Sequence, residues 1–94
     1  MTDKTSEILK DRGQKYGDFT DHARITQTLK GVAAAEMSRR PDGTFKTIHM
    51  EALDMIFHKI GRILNGDPTY ADSWKDIAGY AQLVSDRLEK GLEQ

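Results

Sequence analysis

Residues 53–64 read LDMIFHKIGRIL. At about 100° per residue, the apolar side chains of this stretch share one broad face of a helix. That face comprises Leu53, Ile56, Phe57, Ile60, Ile63 and Leu64. Asn65-Gly66 follows as a helix stop signal, so the pattern predicts a helix from about Lys46 to Leu64.

The helical period recurs on both sides of this stretch, and no strand-like alternation interrupts it. A short first helix is predicted from about Thr5 to Gly13, a second from about Phe19 to Arg39 and a fourth from about Tyr70 to Lys90. The fourth has an apolar seam whose members are spaced alternately by four and three residues. The seam comprises Tyr70, Trp74, Ile77, Ala81, Val84 and Leu88. We therefore predict an all-α fold, a small antiparallel bundle of three longer helices plus a short N-terminal one, as a single domain over residues 1–94.

Two corners have recognisable capping residues. At residues 16–19, Gly17 can adopt the left-handed backbone, and Asp18 is predicted to cap the second helix by accepting the amide of Asp21. Thr69 and Asp72, three residues apart, resemble a capping pair for the fourth helix.

The composition of the chain limits its function classes. Fourteen basic and fifteen acidic side chains give a formal net charge of −1, which argues against DNA binding because phosphate contacts need a basic surface. The chain has no cysteine, so disulfides, thiol nucleophiles and cysteine-based zinc sites are excluded. No segment approaches the roughly 18 apolar residues of a membrane span, and the polar N-terminus has no signal core. We expect a cytoplasmic protein that gains burial as a homo-oligomer, most simply a dimer.

The helix around residues 53–64 has a second, charged stripe. Glu51, Asp54, His58 and Arg62 are three or four residues apart, with Lys59 beside them. One interpretation is a solvated face with pairs such as Asp54 with His58. The other is a site that mixes carboxylates with cations and suits a phosphate with its Mg²⁺.

The fourth helix has a comparable face, formed by Asp72, Asp76, Gly79 and Leu83 with Tyr80 at its edge. Glycine inside a helix costs roughly 1 kcal/mol relative to alanine, so close approach of a ligand or another helix would explain Gly79. A packing contact within the chain or between subunits is the alternative. If this face meets the charged stripe, several carboxylates come together and need cations or a metal ion to offset their repulsion.

The three histidines do not have the spacing of a metal motif, because no HxxxH pair occurs. His22 is predicted to be a surface or near-cap residue, and His49 to pack on the apolar side of its helix. The sequence also has no P-loop, GxGxxG or GxSxG motif.

Three motifs are similar to those of an uncharacterised family of short phage and prophage proteins. They are a YGD corner at residues 16–18, a KxxR at residues 59–62 and a DxWxDxxGY helix at residues 72–80, and the similarity spans about residues 12–88. The resemblance implies a phage or prophage source, with the host cytoplasm as the location, and no established activity. It favours a candidate site made of Tyr16, Asp18, Lys59, Arg62, Asp72, Asp76 and Tyr80.

The chain also has a looser similarity to MazG-like all-α nucleotide pyrophosphohydrolases, which bind Mg²⁺ through ExxE and ExxD motifs. Here the segment from Glu51 to Asp54 has the form of the second motif, and Asp72 with Asp76 would replace the first. This resemblance implies, as an alternative, Mg²⁺-dependent hydrolysis with these four carboxylates as metal ligands.

Three functional hypotheses follow, and they leave open whether the chain is an enzyme. The first is a phage accessory or counter-defence protein that binds a small phosphorylated ligand, most simply a nucleotide, without catalysis. Lys59 and Arg62 would contact the phosphate, and Tyr16 or Tyr80 would stack on the base. The second is the Mg²⁺-dependent hydrolase, and the third is a helical interaction module with no ligand.

Overall fold

The computed structural model describes residues 4–92, and this part of the chain forms four helices. They are α1 (Lys4–Tyr16), α2 (Phe19–Met37), α3 (Thr47–Asn65) and α4 (Ala71–Glu89). The predicted all-α bundle is confirmed. Its first helix is longer than predicted, because the Gly17 amide still bonds the Gly13 carbonyl at 2.9 Å. The second is shorter, because the amides of Arg39 and Arg40 bond carbonyls only three residues back.

Helix α3 lies at the centre of the bundle. Helices α2 and α4 pack antiparallel against it, and α1 contacts both α2 and α3. Within residues 4–92, no Cα atom of α2 lies within 8 Å of a Cα atom of α4. The bundle is accordingly elongated, with extents of 54 × 28 × 23 Å.

The corner between α1 and α2 is fastened to the end of α3. Asp18 caps α2 as predicted, since its carboxylate accepts the amides of Thr20 at 2.9 Å and Asp21 at 3.4 Å. Gly17 has a φ of 80°, which confirms the predicted left-handed backbone. The Asn65 side-chain amide donates to the Asp18 carbonyl at 2.8 Å. The corner therefore has a fixed position relative to α3.

The prediction that Thr69 and Asp72 form a capping pair for α4 is wrong. Asp67 accepts both the amide and the hydroxyl of Thr69, at 2.9 and 2.6 Å, and these bonds lower the pKa of the Asp67 carboxyl. The Asp72 carboxylate instead accepts the Tyr70 hydroxyl at 3.0 Å. A local aspartate turn thus takes the threonine hydroxyl that a capping box would use.

The apolar layer between the helices is thin. In the part of the chain that the structure describes, Ala52 is the one buried hydrophobic residue, and no large side chain is fully buried. Leu64 of the predicted α3 face and Trp74 and Leu88 of the predicted α4 seam are exposed. Between residues 4 and 92, no helix is long and apolar enough to cross a bilayer.

Candidate functional site

A pocket of about 360 Å³ opens where α1, the α1–α2 turn, α2 and α3 meet. We call it the corner pocket. It contains three of the seven predicted site residues, Tyr16, Asp18 and Arg62. The other lining side chains that bear on its chemistry are Arg12, Phe19, His22 and His58.

Arg62 is held in the corner pocket by an aromatic ring. Its guanidinium carbon lies 4.2 Å from the centroid of the Tyr16 ring, and the Tyr16 ring also contacts the Tyr70 ring, with centroids 5.8 Å apart. No carboxylate of residues 4–92 forms an ion pair with Arg62. A cation–π contact positions the guanidinium without consuming its N–H donors. Those donors therefore remain available for an anion.

A second arginine and one carboxylate also line the pocket. Arg12, on the exposed side of α1, has no ion-pair partner among residues 4–92. The Asp18 carboxylate is engaged by the backbone amides at the start of α2. The one carboxylate in the pocket thus caps a helix, and the two arginines make the pocket cationic.

A histidine pair forms the wall between α2 and α3. Nε2 of His22 lies 3.3 Å from Nδ1 of His58 and 3.4 Å from the Thr26 hydroxyl. The rings meet edge to face, with centroids 4.6 Å apart. Gly61 makes this approach possible, because a Cβ there would overlap the Thr26 hydroxyl and stand 3.1 Å from the His22 ring.

The surface alternative predicted for His22 is wrong, since only 7% of it is exposed, whereas its position four residues after the cap Asp18 fits the near-cap alternative. Burial, and then the charge of Arg62, lowers its pKa. The same two causes lower the pKa of His58 to about 4. A hydrogen bond between two imidazoles needs one donor and one acceptor, which neutral rings provide and two imidazolium ions do not. The pair therefore cannot consist of two imidazolium ions, and His58, with a pKa of about 4, is the neutral partner at pH 7.

The predicted phosphate contact Lys59 lies elsewhere. Its ammonium forms a 2.9 Å ion pair with Asp76 of α4, and only 11% of its side chain is exposed. Tyr80 lines a shallow groove on α4 with Asp76 and Gly79. The predicted site is therefore divided between the corner pocket and the α3–α4 interface.

The four carboxylates proposed as magnesium ligands do not form a cluster within one chain. Asp72 accepts the Tyr70 hydroxyl, and that bond raises the pKa of the tyrosine. Asp76 is paired with a lysine, while Glu51 and Asp54 are exposed on α3. Across residues 4–92, no group of three or more histidine, aspartate or glutamate side chains is arranged to hold a metal ion.

Two local expectations for the charged faces are also revised. The predicted pair of Asp54 with His58 does not form, because His58 bonds His22 across the helix interface. A Cβ added at Gly79 would meet nothing within 4 Å. The close approach expected at this glycine is therefore not made inside one chain.

The pairing of His22 with His58 and the position of Arg12 in the pocket were missed, although a signal for the pair exists. Asp18, His22 and Thr26 follow one another at four-residue spacing, so α2 has a polar stripe starting at its cap. Gly61 is the smallest residue in the apolar run of α3. A polar stripe can be buried where it faces a glycine, because the glycine leaves room for its side chains. The stripe of α2 and the glycine of α3 would together have indicated that His22 is buried against α3.

The family comparisons complete the description of the chain. No curated protein and no solved structure gives a significant match. The family model described as a domain of unknown function (DUF6378) matches residues 1–88. Because this match covers nearly the whole sequence, the chain belongs to the DUF6378 family.

Proposed function

We propose that the protein binds a small phosphorylated ligand in the corner pocket, with a mononucleotide as the best fit. One observation carries this proposal: Arg12 and Arg62 line the same pocket, and neither is paired with a carboxylate of residues 4–92. Planar guanidinium groups match the oxygen spacing of phosphate and bind it through paired N–H donors.

Arg62 is the principal phosphate contact in this proposal. It is half-buried, and the Tyr16 ring fixes its position. A guanidinium that is already held in place loses less side-chain entropy when it binds an anion. Partial burial also strengthens the attraction, because fewer water molecules screen the charge.

The ring that would stack on a nucleobase is Phe19 rather than Tyr16. Tyr16 is already in contact with Arg62 and Tyr70. Phe19 lines the pocket and is 77% exposed, an unusual position for a phenylalanine. Stacking of a base on an aromatic side chain is worth about 1–3 kcal/mol. A ligand with both a phosphate and a base would use both features.

Pocket size narrows the ligand class. The volume of about 360 Å³ is near the lower end of small-molecule sites. This size suits one nucleotide better than a dinucleotide. The His58 ring borders the same space, and its Nε2 is not used in the bond to His22, so it could bond a sugar or base group without adding charge.

Sequestration without catalysis is the activity we propose. Such an accessory or counter-defence role fits the phage or prophage source that the sequence resemblance implies. Magnesium-dependent hydrolysis of a nucleotide is the competing activity. It would require Glu51, Asp54, Asp72 and Asp76 to leave their separate positions or to be joined by ligands from elsewhere.

The test is a thermal-shift and calorimetric screen of nucleoside mono-, di- and triphosphates, with inorganic phosphate and unphosphorylated nucleosides alongside. A ligand at about 100 times its dissociation constant should stabilise the protein by roughly 2.7 kcal/mol. Arg62→Ala and Arg12→Ala should each weaken binding about tenfold or more. Phe19→Ala should weaken nucleotides but not inorganic phosphate.

Arg39→Ala is the matched control, because Arg39 lies just beyond the other end of α2 and pairs with Glu36 on the surface. It should leave the dissociation constant unchanged. The proposal fails if no nucleotide binds, if nucleosides bind as well as nucleotides, or if the control weakens binding as much as Arg62→Ala. Release of pyrophosphate with Mg²⁺ would replace sequestration by hydrolysis.

A further inference from the structure

One side of the α3–α4 pair is apolar and uncovered. A groove of about 680 Å³ runs along it. Leu53 and Ile56 of α3 and Ala81, Val84 and Leu88 of α4 line this groove. The sequence assigns all five to the core, yet in a single chain they border open space.

The apolar stripe continues beyond the groove. Leu64 is eleven residues after Leu53, and Trp74 is seven residues before Ala81. At 3.6 residues per turn, each of these spacings returns to the same side of the helix. Leu64 is 64% exposed, Trp74 54% and Leu88 43%. We call the five groove residues together with Leu64 and Trp74 the open apolar face.

The Trp74 ring is fixed in its exposed position. Its indole N–H donates to the Pro68 carbonyl at 2.8 Å. The polar end of the side chain is therefore satisfied within the chain, and the rest of the ring is left for an apolar partner. This arrangement is typical of tryptophan at protein interfaces.

The exposed area of the chain is too large for an independent domain of this mass. The chain exposes 6879 Å², whereas a folded monomer of 10.6 kDa exposes roughly 5,500 Å². Its radius of gyration is 15.9 Å, against about 12 Å for a globular domain of this length. The surplus of about 1,400 Å² per chain, doubled for two chains, lies within the range that obligate homodimers bury.

The charges beside the groove favour a second copy as the partner. Arg40 and Glu89 both line it, so its edge has one charge of each sign. In a two-fold arrangement, the arginine of one copy can face the glutamate of the other. A strongly acidic or basic partner would match only half of this edge.

We infer that a second copy of this chain covers the open apolar face. The α3–α4 pair of one subunit packs on the α3–α4 pair of the other, and the four helices form the core that one chain lacks. This inference does not depend on the proposed ligand, because the corner pocket lies between α1, α2 and α3.

Sedimentation equilibrium over a wide range of protein concentrations tests the inference. The wild-type protein should have twice the mass of one chain. Leu88→Glu and Ala81→Glu should each weaken the dimer by at least about tenfold, since a charge placed in an apolar interface loses its hydration. Leu83→Glu is the matched control, because Leu83 is an exposed leucine of α4 that does not line the groove.

A second experiment does not require the glutamate variants to fold. The chain has no cysteine, so a single introduced cysteine can crosslink only to its copy in another subunit. Among Thr44→Cys, Ala81→Cys and Ser85→Cys, at least one should give a covalent dimer on mild oxidation. Gln27→Cys, on the exposed side of α2, should not.

Two results would overturn the inference. One is a single-chain mass at every concentration. The other is a dimer that Leu83→Glu disrupts and that Leu88→Glu and Ala81→Glu leave intact, because the interface would then lie on the opposite side of α4.

Discussion

The two regions packed around α3 differ in what holds them. At the corner with α1 and α2, contacts are polar and directional: the Asn65 amide bonds the carbonyls of Tyr16 and Asp18, and the Asp67 amide bonds the Lys15 carbonyl at 2.7 Å. Along α4, the open apolar face has few polar groups and no cover. A hydrogen bond is weak unless its distance and angle are close to ideal. At the corner, the donor and the acceptor of each bond therefore belong to the same chain, which holds them in position. Apolar burial is not directional, and another subunit can supply it.

The glycines show the same contrast. A Cβ at Gly17, Gly61 or Gly66 would overlap atoms of a neighbouring segment, and all three lie at or beside the polar corner. A Cβ at Gly31 or Gly79 would meet nothing within 4 Å. Among the glycines of residues 4–92, those that leave no room for a Cβ thus lie at the corner. Three predictions test how far the two regions differ.

The largest effect is expected from Gly17→Ala. Its φ of 80° disfavours any residue with a Cβ, and the new methyl group would overlap the Asn65 carbonyl. We expect a loss of about 3 kcal/mol in the free energy of unfolding. Urea denaturation measures this loss. Gly31→Ala is the control and should stabilise the protein by about 0.5–1 kcal/mol; equal effects of the two substitutions would contradict the contrast.

A smaller effect is expected from pH, through the histidine pair at the corner. The folded-state pKa of His58 is about 4, below its ordinary value of 6.5, so the unfolded chain binds a proton more readily. Stability is therefore full above pH 6.5 and falls as pH decreases from 6.5 toward 4. The His58 contribution to this loss between pH 7 and pH 5 is about 2 kcal/mol.

Denaturation at the two pH values tests the contribution of His58. His58→Gln should reduce the difference in unfolding free energy between pH 7 and pH 5 by about 2 kcal/mol, the part that His58 contributes. His49→Gln is the comparison variant, because His49 lies at the other end of α3 in a contact with the Lys46 amide; it should change the difference less than His58→Gln does. An unchanged difference in His58→Gln would show that other groups cause the loss.

The smallest effect is expected from Gly79→Ala. Within one chain the added methyl group has room, and alanine favours the helix by about 0.5–1 kcal/mol. We therefore expect a small stabilisation, measured by thermal unfolding at low and high protein concentrations. A destabilisation that appears only at high concentration would show that a second copy approaches α4 at this glycine, on the side opposite to the one inferred.

Much of the local structure could be predicted from the sequence. The period of residues 53–64 predicted α3, and the aspartate before α2 predicted its cap, because both depend on residues within one or two turns. The hydrogen bond of the Thr69 hydroxyl was less predictable, because an aspartate stands two residues before it and another three residues after it. The local backbone conformation decides that Asp67 accepts this bond and Asp72 does not.

The candidate site was predicted in part. Tyr16, Asp18 and Arg62 do share a pocket, whereas Lys59 projects from the same helix toward Asp76 of α4. Helical spacing gives the angle between two side chains of one helix, but not which neighbouring helix each one meets. The partners of Lys59 and Arg62 depend on contacts between segments far apart in the sequence.

The sequence by itself determined four helices, one left-handed corner, the absence of thiol chemistry and a balanced charge, because each of these depends on composition or on neighbours along the chain. Only the tertiary structure decided that His22 is buried against His58, that the charged residues divide between two places, and that half of the apolar seam is uncovered. The physical reason is that burial is a property of the assembled helices. Gly61 lets α2 approach α3 closely, and α2 does not reach α4, so one polar stripe is buried and one apolar stripe is exposed.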